Sequence, residues 1–176
     1  QVSPTAGPEA RVYGAFDQPP GAYALDAGTG SVAWTNPGTP GVSAWGMRGC
    51  GLSFGWPGAG EPIDRFYIYV DGLYAFSLDG DQLWVSGAVN TLPHEPAIGA
   101  DGVIYAPGYL DRYLVAYHPD DGRILWQVNS PWRAHISDIE IDSKDTLYFI
   151  GDGRWIEAYD PHRQQSFWRR NTEVQQ

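Results

Sequence analysis

The sequence has a single cysteine, Cys50, among 176 residues, so no disulfide can form within the chain. Cysteine usage alone leaves the compartment open. Basic residues are scarce: 11 Lys and Arg face 21 Asp and Glu, for a net charge of −10. Phosphate backbones and anionic lipid surfaces need clustered cations, so nucleic-acid binding and docking on an acidic bilayer are excluded as leading functions. No apolar run approaches the roughly 18 residues needed to cross a bilayer as a helix. Sustained 3.6-residue apolar periodicity is also missing, which excludes a helical fold. The sequence starts at Gln1, and Gln1-Val2-Ser3-Pro4-Thr5 reads as an end left by processing. That predicts export, to an extracellular or periplasmic location.

Turn formers and apolar residues are plentiful. Glycine (22) and proline (14) suit many short strands and tight turns, and an apolar share of 43 % suffices for a packed core. The stretch Ala24-Leu25-Asp26-Ala27-Gly28-Thr29-Gly30-Ser31-Val32-Ala33-Trp34 runs from an apolar segment through an Asp/Gly turn to a tryptophan. Related segments run from Ala75 to Trp84, from Ala116 to Trp126 and from Ala158 to Trp168. The tryptophans stand 50, 42 and 42 residues apart. A period of this size, built of strand-like runs, marks a β-propeller blade.

Each unit extends upstream. Glu95 to Tyr105 reads as strand, turn, strand, and Ser3 to Tyr13 repeats it at an offset of 92, with Pro4 on Pro96, Gly7 on Gly99 and Tyr13 on Tyr105. The spacing therefore predicts four strands per unit, termed A to D. The expected fold is all-β: a propeller of four four-stranded antiparallel blades in a single domain, residues 1–176. Blade one takes about 1–36, blade two about 50–88, blade three about 94–130 and blade four about 135–170, with a polar tail at 171–176. A Gly-rich insertion with Trp45 and Trp56 occupies about 36–62; Cys50 to Phe54 is the expected A strand of blade two. Asp71-Gly72 is a two-residue hairpin signal for its B–C turn.

The pattern Ala-x-Asp-x-x-Thr-Gly-x-x-x-Trp is met in full by Ala24, Asp26, Thr29, Gly30 and Trp34, and resembles the PQQ-like repeat of quinoprotein-type β-propellers. That group includes pyrroloquinoline-quinone alcohol dehydrogenases and a non-enzymatic outer-membrane-assembly lipoprotein. The resemblance implies that Trp34, Trp84, Trp126 and Trp168 pack between neighbouring blades, beside Ala24, Ala75, Ala116 and Ala158. It also implies rings of seven or eight blades, whereas the sequence supplies four. Four blades leave the two end faces bare, and bare repeat ends are a solubility problem. Three solutions follow: half of an eight-bladed ring completed by another chain, an open filament, or a lone four-bladed ring. Assembly is favoured, as a homo-oligomer through blade-end faces or with protein partners.

A quinoprotein dehydrogenase, as the resemblance implies it, would hold PQQ and calcium and often a vicinal disulfide. One cysteine forbids that disulfide, and no residue matches the metal-binding set. No cofactor is expected, PQQ and Ca2+ belonging only to the dehydrogenase alternative. Arg48, His94 and His135 precede the A strands of blades two, three and four, where side chains face the mouth of a propeller channel and could take an anion; surface loop residues are the plainer reading. Cys50 is expected to be buried and inert rather than paired with His94 or His135. Asp138, Glu140, Asp142 and Asp145 offer oxygens to calcium, but without the regular spacing of a calcium loop; alternating acids on a wet strand face explain them as well. His118 and His162 read as turn residues. The expected function is a non-catalytic exported scaffold or binding module. The alternatives are part of a PQQ-dependent dehydrogenase, or a propeller that binds a small ligand or sugar.

Overall fold

The computed structural model of the chain describes residues 4–17, 20–37, 52–56, 58–69, 72–87, 95–108, 113–129, 136–151 and 154–172. Among them sixteen strands form four separate antiparallel sheets of four, each made of consecutive strands. Blade one holds β1 (Thr5–Gly7), β2 (Arg11–Asp17), β3 (Pro20–Asp26) and β4 (Val32–Pro37). Blade two holds β5 (Leu52–Gly55), β6 (Arg65–Tyr69), β7 (Leu73–Ser77) and β8 (Gln82–Val85). Blade three holds β9 (Ala97–Ile98), β10 (Ile104–Pro107), β11 (Tyr113–Tyr117) and β12 (Ile124–Asn129). Blade four holds β13 (Glu140–Ile141), β14 (Leu147–Gly151), β15 (Trp155–Asp160) and β16 (Gln165–Asn171). The one helical segment among the described residues is a 3-10 turn, Pro8–Ala10.

The C–D turns show why the Asp/Gly signature recurs. In blade one the Asp26 carboxylate accepts the backbone N–H of Gly28 and Thr29 and the Thr29 hydroxyl, at 3.1, 2.7 and 2.8 Å. An Asx side chain thus satisfies amides that the reversal would leave unpaired. The same turn position has positive φ in all four blades: Gly30, Gly80 and Gly122 at 72°, 90° and 68°, and Gln164 at 53°. Glycine adopts that region without a Cβ penalty; glutamine does so under strain.

The repeated alanines have a packing reason. In each blade a Tyr on strand B, an Ala on strand C and a Trp on strand D are cross-strand partners: Tyr13–Ala24–Trp34, Tyr67–Ala75–Trp84, Tyr105–Ala116–Trp126 and Tyr148–Ala158–Trp168. The small Ala leaves space above the middle strand, so the rings on either side approach. Their centroids lie 6.2, 5.7, 5.9 and 6.2 Å apart in blades one to four. Immediately after the Ala the C–D register slips by one residue in every blade. The unpaired residues on the D strands are Ala33, Leu83, Leu125 and Phe167, all exposed. A β-bulge here turns an apolar side chain out to solvent and adds local twist.

The core lies between sheets, in three layers. Tyr13, Ala22, Ala24 and Trp34 of blade one pack on Leu52, Phe66, Ile68 and Phe76 of blade two. Tyr67, Tyr69, Leu73 and Trp84 of blade two pack on Ile104, Val115 and Tyr117 of blade three. Tyr105, Leu114, Ala116 and Trp126 of blade three pack on Leu147, Phe149 and Tyr159 of blade four. The two inner sheets, blades two and three, are apolar on both faces because each is covered on both sides, as stacked modules require.

Candidate functional site

The chemistry-bearing groups of this chain converge on the seams between blades. At the first seam Trp34 Nε1 donates to the Leu78 carbonyl at 2.8 Å, and Asn36 Nδ2 donates to the Gly80 carbonyl at 2.7 Å. The Trp34 ring stacks on Phe66 at 6.0 Å and 17°. At the second seam Trp84 Nε1 donates to the Pro119 carbonyl at 2.8 Å. The following turn makes room for each indole: a Cβ on Gly80 would lie 2.5 Å from the Trp34 ring, and one on Gly122 would lie 2.4 Å from the Trp84 ring. Glycine is required there twice over, for positive φ and for the close approach of the ring.

A cation accompanies each of these two seams. Arg11, at the start of β2, donates Nη1 to the Leu78 carbonyl at 3.1 Å and pairs with Asp79 at 3.4 Å. Arg65, at the start of β6, donates Nη1 to the Pro119 carbonyl at 2.9 Å and pairs with Asp120 at 3.4 Å. Arg65 also forks onto Asp64, which with its other acids holds its guanidinium above the ordinary arginine value. Ser53 Oγ, donating to the Pro96 carbonyl at 2.6 Å, and Trp56 Nε1, donating to Ala100 at 3.2 Å, tie the inner parts of blades two and three.

The third seam is built differently. Val103 and Thr146 stand where Arg11 and Arg65 stand in the first two blades, and Gln164 replaces the turn glycine. Trp126 meets Tyr159 at 6.4 Å. Acids make the cross-links: Asp138 accepts the Glu95 N–H at 3.3 Å, and Asp145 accepts the Ala100 N–H at 2.9 Å. A cavity of about 170 Å³ opens here, lined by Leu114, Val128, Ile136, Phe149, Glu157 and Tyr159 among others. The Tyr159 hydroxyl is buried with no hydrogen-bond partner among the described residues, and burial, then Glu157 and Asp160, push it up to about 12. Glu157, nearly fully buried, is held by Arg169 and the Ser166 hydroxyl.

Three of the four acids singled out as calcium candidates, Asp138, Asp142 and Asp145, accept backbone amides, while Glu140 is exposed on its strand. Asp142 accepts the N–H of Lys144 and Thr146 and the Tyr148 hydroxyl, at 2.8, 2.9 and 3.1 Å, and the two amides with that hydroxyl hold its carboxyl below the usual range. Asp138 and Asp145 bridge to blade three, a role that alternation along a wet strand face does not reveal. No three His, Cys, Asp or Glu side chains among the described residues come together as a metal site. His118 accepts the Asp120 N–H on Nδ1 at 3.2 Å within its own turn, and His162 Nε2 lies 3.6 Å from Asp145. Arg48, Cys50, His94 and His135, and the Asp71-Gly72 hairpin for its Asp71, lie outside the described residues.

Trp168 departs from the other three indoles. It is 42 % exposed and its ring lies beside Tyr148 of its own blade, with no further blade over it among the described residues. Ile150 (41 % exposed) and Ile156 (37 %), a cross-strand pair, extend the same open face. At the other end, nothing lies within 4 Å of a Cβ built on Gly30, the counterpart of Gly80 and Gly122.

Sheets of four meandering strands, fanned about an axis and locked by indoles, define the class of protein: a β-propeller built of PQQ-like repeats. The family described as "Outer membrane protein assembly factor BamB" matches residues 3–137 of the sequence, and the chain belongs to that family. Among solved structures it is similar to BamB from Moraxella catarrhalis, with a TM-score of 0.65 and 14 % identity. That match covers 96 % of this chain and 52 % of the other, so this chain spans about half the length of its structural relative. None of the curated proteins matches the sequence.

Proposed function

We propose that this chain is a non-catalytic, exported propeller scaffold that docks proteins through the faces at its blade ends, in the service of outer-membrane protein assembly. The observation that carries the reading is the fate of the polar groups: Arg, Trp, Asp and Ser side chains of the kinds that perform catalysis elsewhere are spent on backbone carbonyls and amides between blades. The apolar surface left over, on blade four and at the bulged residues Leu83, Leu125 and Phe167, is the kind that protein interfaces bury. Family membership supports the assembly role, and the periplasm is the compartment such a role requires. No cofactor is called for.

Two measurements test this. Cells lacking the chain are expected to show lowered levels of folded outer-membrane proteins, and fractionation of producing cells is expected to find the chain in the periplasm. An unchanged outer-membrane profile together with a cytoplasmic chain overturns the proposal. Incubation with PQQ and calcium is expected to give no dye reduction with alcohols or sugars; turnover would instead establish the dehydrogenase reading.

A further inference from the structure

Burial along the chain follows the repeat until blade four, where it breaks. On the face that carries the Tyr–Ala–Trp ladder, the neighbouring cross-strand pairs are Ala15–Ala22 in blade one and Tyr69–Leu73 in blade two, both buried under the next blade. The corresponding pair in blade four is Ile150–Ile156, and it is open. The opposite face shows the reverse break. Phe66, Ile104 and Leu147 are fully buried against the preceding blade, while their counterpart Val12 is only half-buried. The chain thus ends in two unlike apolar faces, one carrying an unseated indole and the other an unfilled indole seat.

We propose that the occupant of each face is a second copy of this chain, with Trp168 of one copy seated on Gly30 and the Ala27 carbonyl of the other, so that two chains close one ring. The two inner seams supply the template. Ala27 holds the turn position of Leu78 and Pro119, whose carbonyls accept Trp34 and Trp84. The polar complement agrees as well. At both of those seams an Arg on the donor blade comes with an Asp on the receiving turn: Arg11 with Asp79, Arg65 with Asp120. At the outer faces the same two positions are Thr146 and Gly28, so closure buries neither an unpaired cation nor an unpaired acid.

Charge complementarity selects the same partner. Arg170 holds the place from which Asn36 reaches the Gly80 carbonyl, and the receiving turn of blade one carries the Asp26 carboxylate, which has no ion pair among the described residues.

This inference rests on the scaffold reading and is tested apart from it. Light scattering on the whole chain is expected to give a particle of twice the 19.4 kDa chain mass. Trp168→Ala and Gly30→Gln are each expected to weaken the dimer at least tenfold, about 1.4 kcal/mol. Gly30→Gln is a fair probe of the seat because the chain already carries Gln164 at positive φ in the same turn position. Both variants are expected to keep the far-ultraviolet circular dichroism of the parent. A mixture of Trp168→Cys and Gly30→Cys chains, each also carrying Cys50→Ser, is expected to yield a mixed disulfide-linked dimer on oxidation.

A monomeric parent chain, an open polymer, or a dimer that neither substitution weakens overturns the proposal. A monomer that still supports outer-membrane assembly overturns the ring and leaves the scaffold reading standing. A dimer without that cellular effect does the opposite.

Discussion

Trp84 and Pro119 belong to different blades, and the indole of one donates to the backbone carbonyl of the other at 2.8 Å, beside the Arg65 guanidinium that donates to the same oxygen at 2.9 Å. One buried carbonyl thereby receives two donors from the neighbouring sheet. That is a fixed register between blades and not only an apolar contact.

The shared acceptor predicts coupling. Trp84→Phe and Arg65→Met each leave the Pro119 carbonyl with one donor, whereas the double variant leaves it buried with none. The double loss is expected to exceed the sum of the single losses by about 1 kcal/mol. Urea unfolding of the four chains of the cycle measures it, and strict additivity would remove the shared-carbonyl argument.

The glycine seats make a second prediction. Gly122→Ala must accommodate a methyl 2.4 Å from the Trp84 ring at a φ of 68°, whereas Gly60 has φ 81° and open space around it. Gly60→Ala is expected to cost about 1 kcal/mol for backbone conformation alone. Gly122→Ala is expected to cost about 1–3 kcal/mol more, the usual range for overpacking. Denaturation midpoints of the two variants, compared with the parent, decide it.

Acid sensitivity follows from the turn carboxylates. Amides and hydroxyls hold the carboxyls of Asp26 and Asp142 below their ordinary value, and the amides of Arg163 and His162 do the same for Asp160. A group whose folded-state value is depressed stabilises the fold above its unfolded value and loses that contribution as pH falls through the folded one. Stability is therefore expected to decline as pH drops below about 4, the ordinary aspartate range. The decline is expected to be shallower in Asp142→Ala, measured by urea midpoints from pH 7 to pH 3. Glu95, pushed up by burial and then by Asp138 and Glu140, works in the opposite sense and softens the slope.

Alkali acts through buried phenols. Burial pushes Tyr117 and Tyr159 up to about 12. A raised folded-state value means stability present below the unfolded value, about 10 for a phenol, and lost as pH rises through the folded one. Tyrosinate absorbance at these residues is expected to appear together with loss of the β-sheet signal. Tyr159→Phe removes a hydroxyl that has no partner among the described residues, so it is expected to change stability by no more than about 0.5 kcal/mol.

The strands were legible because each carries its own signal. Alternation, an Asp/Gly turn and a Trp within the fourth strand lie within about ten residues, and the sheet pairs them locally. The role of the alanines was not: Ala24 reads as a small apolar residue until Tyr13 and Trp34 are seen on either side of it. The bulge after each Ala escaped for a related reason. A register slip is a relation between two strands, and Ala33, Leu83, Leu125 and Phe167 look like core residues in an alternating run. Likewise, Asp138 and Asp145 read in sequence as acids on a wet strand face but are inter-blade acceptors in space. Glu95 and Ala100, whose amides they accept, are more than forty positions away in the chain.

The sequence by itself determined the repeat, the four-stranded unit, the all-β class and the positions of the four tryptophans. These depend on short-range pattern, which a linear string contains in full. Only the tertiary structure decided how each indole is spent: Trp34 and Trp84 on the carbonyl and glycine of the next turn, Trp126 against Tyr159 at a looser seam, and Trp168 on an open face. The four side chains are identical in type. What distinguishes them is the sheet that lies opposite, and that depends on where blades stack rather than on any residue near the tryptophan in the chain.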